Sequence, residues 1–255
     1  MSVMDRFSLA GQVGIVTGGG QGLGRAFCRA FAEAGADLVV AEINPDTGSQ
    51  VAEEVRNLGR RALCIPTDVA SKASVEAMVK QTLAEFGRVD FIMNNAGTNV
   101  WGNAEDLSEE AWRKVFALNV DGLFYCCQAA ARPMMAQGGG RIINIASMSG
   151  LIVNRPQAQT PYNTAKAAVI HLTKSLAAEW APHNIRVNAI APGYMSNVYQ
   201  KFGRPEVIAQ WQEHIPMKRL GDPDELGPAA VFLASEASSY MTGAVLVMDG
   251  GYTIW

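Results

Sequence analysis

The segment Thr17-Gly-Gly-Gly-Gln-Gly-Leu-Gly24 decides the fold, because it joins a short apolar run to an amphipathic stretch. Glycine permits a sharp bend and lets backbone N–H groups approach a pyrophosphate, and the first turn of a helix adds positive potential. Glycine clusters also occur in ordinary turns, but a cluster between the first strand and the first helix is typical of a dinucleotide-binding turn. The predicted cofactor contacts in this turn are Gly18, Gln21, Gly22, Leu23 and Gly24.

The rest of the chain alternates short apolar runs with longer amphipathic segments. We predict strands over 13–17, 37–42, 62–66, 89–93, 141–145, 185–190 and 244–248. We predict helices over 22–34, 46–58, 71–86, 108–136, 161–181 and 222–235. Runs that are apolar on both faces indicate parallel strands buried between two helix layers and joined by right-handed crossovers. The prediction is an α/β Rossmann fold in a single domain over 1–255, a doubly wound parallel sheet of about seven strands with helices on both faces.

Composition narrows the classes of function. The 255 residues include 21 Lys and Arg against 24 Asp and Glu, a net charge of −3. No basic excess exists to attract nucleic acid, and a hydrophobic content of 49% argues against disorder. The N-terminus shows no secretory signal and no uncharged apolar run reaches the ~20 residues that cross a bilayer, so no membrane partner is expected. The 4 cysteines lack metal-ligand spacing, which favours reduced thiols and a cytoplasmic protein.

Polar and small residues follow the next three predicted strands. Glu42 ends the second strand, and a carboxylate there accepts the hydroxyls of an adenosine ribose and repels a 2′-phosphate. No Arg or Lys lies inside the glycine turn or directly after Glu42. The predicted cofactor is therefore NAD rather than NADP. Further predicted contacts with it are Asp68, Val69, Asn95, Ala96 and Gly97.

A serine, a tyrosine and a lysine form the predicted catalytic group. Ser147 follows the fifth predicted strand, and Tyr162 and Lys166 come later on one predicted helix. The spacing of four residues places Tyr162 and Lys166 on the same helix face. A phenol with a pKa of about 10 exchanges protons poorly near neutral pH, and a nearby cation lowers that pKa. The pair alone occurs by chance, but together with Ser147 and the glycine turn it indicates acid–base catalysis.

At these positions the chain resembles the short-chain dehydrogenase/reductase family. The matching stretches are Thr17-Gly-Gly-Gly-Gln-Gly-Leu-Gly24, Asn94-Asn-Ala-Gly97, Asn119, Ser147, Tyr162-Asn-Thr-Ala-Lys166, Arg186-Val-Asn188 and Pro192-Gly193, in the family's order. The resemblance implies that Ser147 binds the reacting oxygen and that Tyr162 is the general acid and base. It also implies that Lys166 binds the nicotinamide ribose and lowers the pKa of Tyr162, and that Asn119 holds a proton-relaying water.

The resemblance further implies that Pro192, Gly193 and Met195 face the nicotinamide. The family usually carries Thr three or four residues after the Pro-Gly pair, where it bonds the carboxamide. This sequence has no Thr there, so that Ser196 or Asn197 takes its place, or the hydrogen bond is absent.

The segment after Ser147 and the stretch 249–255 resemble sugar-alcohol dehydrogenases of this family, of the galactitol or arabinitol type. The implied substrate is a linear polyol or its ketose. The predicted substrate contacts are Ser149, Asn154, Gln159, Tyr162 and Tyr194, under a lid over about 194–217. The amides of this segment are equally consistent with a solvated loop. The alternatives are a 3-oxoacyl-thioester reductase, a hydrophobic alcohol or ketone dehydrogenase, and a non-catalytic nucleotide-binding regulatory protein.

Two segments predict self-association. The predicted helix 108–136 is apolar nearly all round, and 241–255 is similarly rich in apolar residues, so one side of each needs a partner. Together with the family resemblance, this predicts a homotetramer of closed symmetry. His171, His183 and His214 lie far apart in the sequence, so no metal site is expected.

Overall fold

Seven parallel strands form one sheet in the computed structural model, which describes residues 2–196 and 204–255. The strands β1 to β7, in chain order, are Val13–Thr17, Asp37–Glu42, Ala62–Pro66, Phe91–Asn94, Gly140–Ile145, Ile185–Pro192 and Val245–Met248. Their order across the sheet is β3-β2-β1-β4-β5-β6-β7. The order reverses between β1 and β4, and ligands bind beyond the carboxyl ends of the strands at such a point.

Helices cover both faces of this sheet. In chain order α1 to α8 are Gly22–Glu33, Pro45–Asn57, Lys72–Phe86, Glu109–Phe116, Leu123–Ala136, Thr160–Trp180, Pro205–His214 and Gly227–Ala234. Helices α3, α5 and α6 pack on one face, against side chains such as Ile92 and Val187. Helices α1, α2 and α8 pack on the other, against Val16 and Ile143. The predicted Rossmann architecture is confirmed, and none of the helices described is both long and apolar enough to cross a bilayer.

Short polar side chains begin several helices at the predicted places. Asn44, Ser71 and Ser108 each accept a hydrogen bond from a backbone N–H two or three residues further along. Asp222 and Glu225 form a reciprocal capping box around the turn before α8. These side chains satisfy N–H groups that no helical carbonyl reaches, which sets where each helix starts.

The helix predicted over 108–136 is interrupted in the structure. Between α4 and α5, the segment Ala117–Gly122 has π-helical hydrogen bonding. The Asn119 side chain accounts for the interruption, because its Nδ2 donates to the carbonyls of Val115 at 2.9 Å and Thr98 at 2.8 Å. A side-chain amide that binds a helix carbonyl competes with the backbone donor and disturbs the regular turn.

Smaller differences concern the boundaries of two predicted elements. The strand predicted over 89–93 begins two residues later, as β4. The helix predicted over 222–235 begins with a 3₁₀ turn, Pro223–Leu226, before α8. The stretch 194–217, predicted to be a lid, contains α7, and its residues 197–203 lie outside the described residues.

Candidate active site

Two adjoining cavities lie at the carboxyl edge of the sheet. The larger encloses about 760 Å³, and the smaller about 470 Å³. The predicted residues that line the larger cavity are Gly18, Gln21, Gly22, Leu23, Glu42, Asp68, Val69, Asn95, Ala96 and Gly97. The predicted residues that line the smaller cavity are Leu23, Asn95, Gly97, Asn119, Ser147, Tyr162, Lys166, Pro192, Gly193 and Met195. Because three residues belong to both walls, the two cavities form one groove.

The glycine turn is closed by a side chain from the end of β4. Asn95 Nδ2 donates to the carbonyl oxygens of Thr17 and Gly18, each at 3.0 Å. Gly18 has a positive φ of 61°, which side chains rarely tolerate. A Cβ on Gly24 would collide with the Gly18 carbonyl oxygen, so Gly24 allows the turn to close on the start of α1. Gly24 lies behind the groove rather than along its wall.

The acidic residues of the larger cavity are held differently. Glu42 is buried, and its Oε2 accepts a hydrogen bond from the Gly20 N–H at 3.0 Å. Its Oε1 accepts from the N–H groups of Ile43 at 3.0 Å and Asn44 at 3.3 Å. Asp68 is exposed on the same wall. Within the described ranges, no group of three or more His, Cys, Asp or Glu side chains is arranged to hold a metal ion.

Ser147, Tyr162 and Lys166 meet in the smaller cavity, which we call the catalytic cavity. Ser147 Oγ lies 3.0 Å from Ser149 Oγ and is hydrogen-bonded to the Tyr162 hydroxyl. Lys166 Nζ donates to the Ile145 carbonyl oxygen at 2.7 Å and lies 5.5 Å from the centroid of the Tyr162 ring. The three side chains thus surround one small volume in which a reacting oxygen fits beside a proton donor.

Burial governs the protonation of this group. It raises the pKa of Tyr162, and the hydrogen bond with Ser147 offsets only part of that rise. Burial also lowers the pKa of Lys166 from 10.5 to about 8. Desolvation dominates for both groups, and the expectation that Lys166 lowers the pKa of Tyr162 stays a prediction.

Asn119 carries a buried carbonyl oxygen without a partner. Its Nδ2 is bonded to two backbone carbonyls, whereas its Oδ1 has no hydrogen-bond partner among the described residues. A Cβ on Gly97 would lie 2.7 Å from this oxygen, so glycine leaves the space beside it open. A buried acceptor of this kind is normally satisfied by an ordered water or a ligand.

The wall at the end of β6 depends on β7. Gly193 N donates to the Met248 carbonyl oxygen at 2.9 Å. A Cβ on Gly193 would lie 2.6 Å from the Cα of Asp249, so the two backbones approach too closely for a side chain. Pro192 and Met195 complete this wall of the catalytic cavity.

The residues that would replace the family's threonine are only partly described. Ser196 is half-buried, and its N–H donates to the Gly221 carbonyl oxygen at 2.8 Å. Asn197 lies outside the described residues. The choice between the two therefore stays a prediction.

Four predicted substrate residues do not line the catalytic cavity. Gln159 Nε2 donates to Ser149 Oγ at 3.2 Å and to Asn154 Oδ1 at 2.9 Å. Asn154 Nδ2 in turn donates to the Tyr194 hydroxyl at 3.0 Å. All four residues are buried, and buried polar groups pair with one another when water is excluded. Tyr162 alone of the predicted set lines the cavity, and direct substrate contact by the other four stays a prediction.

Several wall residues were missed by the sequence analysis. Asn99 and Trp101 line the catalytic cavity, and Ile43 and Thr67 line the larger one. All four come just after a strand, in segments that leave the carboxyl edge of the sheet. The signal is present in the sequence, because segments that follow the strands run across the binding crevice of an open parallel sheet.

Comparisons with known proteins place this site among dehydrogenases. A family model described as enoyl-(acyl carrier protein) reductase matches residues 18–253. A galactitol 2-dehydrogenase (L-tagatose-forming) of Cereibacter sphaeroides is 43% identical over 252 residues, which cover 98% of each chain. A probable NADP-dependent mannitol dehydrogenase of Yarrowia lipolytica is 40% identical over 98% of this chain and 91% of its own. A crystal structure of a short-chain type dehydrogenase/reductase from Mycobacterium marinum is 44% identical, with a TM-score of 0.94 over 99% of each chain.

Because Lys166 is buried, we predict that replacing it with an apolar residue stabilises the folded protein. We expect Lys166→Met to abolish turnover and to raise the free energy of unfolding at pH 7 by roughly 1–3 kcal/mol, because a buried ammonium is replaced by an apolar chain. In the folded state the pKa of Lys166 is lowered to about 8, so below that pH the folded protein bears the full free-energy cost of the buried charge. Above it, only the unfolded chain keeps the proton, and the wild type regains stability.

Denaturant unfolding at several pH values checks this prediction. The advantage of Lys166→Met must be largest below pH 8 and must shrink towards pH 10.5, the ordinary lysine value. Lys174→Met, on the same helix but outside the cavity, is the matched control. An advantage that does not change with pH would show that charge burial is not its cause.

Proposed function

The chain belongs to the short-chain dehydrogenase/reductase family, and on that premise we propose that it interconverts a linear polyol and a ketose with NAD(H). It is an oxidoreductase that acts on CH–OH groups. The observation that carries the finer proposal is the single groove that joins the glycine turn to Ser147, Tyr162 and Lys166. A nucleotide-binding regulatory protein has no need of that complete proton-transfer group beside the groove.

The residues of the groove fit a nicotinamide dinucleotide. The closed glycine turn leaves backbone room at Gly18 and Gly22, and Glu42 and Asp68 stand where an adenosine would lie. When bound, the dinucleotide would supply or take up the hydride. The remaining residues proposed to hold it are Gln21, Leu23, Gly24, Val69, Asn95, Ala96, Gly97, Tyr162, Lys166, Pro192, Gly193, Met195 and Ser196.

Proton transfer is assigned to this chain's own side chains. Ser147 holds the reacting oxygen, and the Tyr162 hydroxyl donates a proton to it in reduction or its phenolate takes the proton in oxidation. Lys166, with a pKa of about 8, can gain or lose a proton near neutral pH. A water on Asn119 Oδ1 would connect Lys166 to solvent, since that oxygen has no partner among the described residues.

A neutral polyol fits the catalytic cavity better than an anionic substrate. Among the described residues that line it, Lys166 is the one side-chain cation, and Asn99 and Asn119 add amides. Amides both donate to and accept from hydroxyl groups. The galactitol and mannitol dehydrogenases to which the chain is similar point the same way. A 3-oxoacyl-thioester reductase, the runner-up, needs basic residues for a carrier phosphate, which the glycine turn lacks.

NAD is proposed over NADP because of Glu42. Its buried carboxylate is fixed by three backbone N–H groups at the wall of the groove. An oxygen held in this way can accept from a ribose hydroxyl, whereas a 2′-phosphate would meet a like charge. We also propose a cytoplasmic location, which the free thiols Cys28, Cys64, Cys126 and Cys127 support.

A homotetramer is proposed from two separate apolar surfaces. On α4, Trp112 is 40% exposed and stacks on Phe116 with ring centroids 4.6 Å apart. At the edge of the sheet, Val247 of β7 is 42% exposed, and Trp255 is exposed nearby in sequence. Two self-complementary surfaces on one chain give a closed assembly with two kinds of two-fold interface.

The first test of the function is Tyr162→Phe. Turnover of the best polyol should fall by about 10²–10⁴-fold, because the phenol moves the proton. Binding of NADH, followed by its fluorescence, should fall far less than turnover, because Tyr162 is only one of many proposed contacts with the dinucleotide. The best polyol is found by assaying a panel of alcohols with NAD. The panel contains the polyols erythritol, arabinitol, xylitol, sorbitol and galactitol, and the simple alcohols 2-butanol and cyclohexanol. If the simple alcohols match the best polyol in kcat/KM, the substrate is a hydrophobic alcohol or ketone instead.

The second test compares the cofactors. Wild-type kcat/KM should be higher with NAD than with NADP, and Glu42→Gln should narrow that gap by about tenfold, because it removes a like-charge contact. The glutamine keeps the size of the side chain and an oxygen for the Gly20 N–H, which makes it a better control than alanine. Equal wild-type values for the two cofactors would refute the role of Glu42.

The third test concerns assembly. Light scattering at micromolar concentration should give four times the mass of the chain. Trp112→Glu and Val247→Lys should each leave dimers, because each puts a charge into one of the two apolar surfaces. A wild-type monomer, or single variants that remain tetramers, would contradict the proposed surfaces.

A further inference from the structure

The catalytic cavity contains a second buried oxygen without a partner. Asn99 lines this cavity, and its Oδ1 is buried with no hydrogen-bond partner among the described residues. Its Nδ2 donates to Gln159 Oε1 at 2.8 Å. A buried carbonyl oxygen that no protein donor reaches is normally satisfied by an ordered water or by a ligand. Asn119, whose oxygen is likewise unpartnered, already has a place in the proposed proton path.

The orientation of the Asn99 amide follows from a chain of hydrogen bonds that starts at an indole. Trp211 Nε1 can only donate, and it donates to Gln157 Oε1 at 3.1 Å. Gln157 must then present its Nε2 to the Tyr194 hydroxyl, at 3.0 Å. That hydroxyl also accepts from Asn154 Nδ2 at 3.0 Å, and it lies 3.4 Å from the Arg155 carbonyl oxygen, which can accept its proton.

The same reasoning passes from Asn154 to the cavity. With its Nδ2 engaged, Asn154 offers its Oδ1, which accepts from Gln159 Nε2 at 2.9 Å. Gln159 therefore offers its Oε1, and Asn99 must present its Nδ2 to that oxygen. What Asn99 has left is a carbonyl oxygen, an acceptor that cannot donate.

The polypeptide backbone holds the segment of Asn99 next to the segment of Gln159. The segment that leaves β4 pairs with the segment before α6 through an isolated bridge between Gly102 and Gln159. The Gly102 N–H also donates to the Ala158 carbonyl at 3.0 Å. Asn99 is thus placed by its own segment and by Gln159, and only its soft terminal torsion is left to adjust to a ligand.

We infer that Asn99 is a specificity-determining residue whose Oδ1 accepts a hydrogen bond from a substrate hydroxyl other than the reacting one. The inference rests on the proposed function and narrows its substrate class. An acceptor that cannot donate binds a hydroxyl and repels a carboxylate or phosphate. The substrate carries at least two neutral hydroxyl groups, and one of them lies at Asn99 while the other reacts between Ser147 and Tyr162.

Substrate pairs test this inference. We compare kcat/KM for the best polyol of the panel, for 1,2-hexanediol and for 2-hexanol, in the wild type and in Asn99→Leu and Asn99→Ala. Both variants should reduce the ratio of polyol to 2-hexanol by roughly tenfold, because one hydrogen bond to the substrate is lost. The ratio carries the test rather than either rate alone, because Asn99 lines the cavity that both alcohols enter. The 1,2-hexanediol value shows whether the bound hydroxyl is adjacent to the reacting carbon.

A matched control variant distinguishes direct contact between Asn99 and the substrate from an indirect effect through the hydrogen bonds of Gln159. Asn163 Oδ1 also accepts from Gln159 Nε2, at 2.9 Å, but Asn163 does not line the catalytic cavity. Asn163→Ala should therefore leave the ratio of polyol to 2-hexanol within about twofold of the wild type. A thermal melt of each variant confirms folding, and the smaller Asn99→Ala serves if Asn99→Leu does not fold.

The possible outcomes distinguish a failure of this inference from a failure of the proposed function. If the wild type prefers the polyol and the Asn99 variants keep the same ratio, the inference is wrong and the proposed function stands. If Asn163→Ala lowers the ratio as much as the Asn99 variants do, Asn99 acts only as part of the amide network and the inference is again wrong. If the wild type oxidises none of these alcohols with either cofactor, both are wrong.

Discussion

The hydrogen bonds between Asn95 and the glycine turn are the contact on which the site depends. Asn95 Nδ2 reaches two carbonyls of that turn, while the Asn95 and Ala96 N–H groups both donate to Thr17 Oγ1. These bonds tie the ends of β1 and β4, the two strands between which the sheet order reverses. The nucleotide groove and the catalytic cavity share this junction, so the distance between them is set by short bonds between neighbouring strands rather than by loops.

The catalytic cavity keeps its polar groups at an energetic cost. The Lys166 ammonium and the Tyr162 phenol are both buried, and burial disfavours the charged form of each. Such groups persist because the β5 end and α6 hold them against a well-packed core. The site therefore keeps buried polar side chains at positions where a bound ligand can form hydrogen bonds with them.

Local patterns were sufficient to predict the sheet, the glycine turn and the proximity of Ser147, Tyr162 and Lys166. The apolar runs predicted all seven strands, because a strand that is buried on both faces consists almost entirely of apolar residues. The helix break at Asn119 was not predictable, since it depends on a carbonyl at Thr98 that only the folded chain brings near. The same holds for the amides that link Asn99, Gln159 and Asn154. Their residue types suggested polarity, but which of them would face the substrate depended on partners far along the chain, such as Tyr194.

The dependence of the Gly193 wall on β7 has a consequence for synthesis on the ribosome. A nascent chain that has emerged as far as β6 already carries Ser147, Tyr162 and Lys166. It still lacks the Met248 carbonyl that accepts from Gly193 and the Asp249 backbone that packs against it. The cavity thus acquires its last wall only after nearly every residue described here has been translated. Until β7 has been translated, the segment after β6 therefore has no strand against which to form this wall.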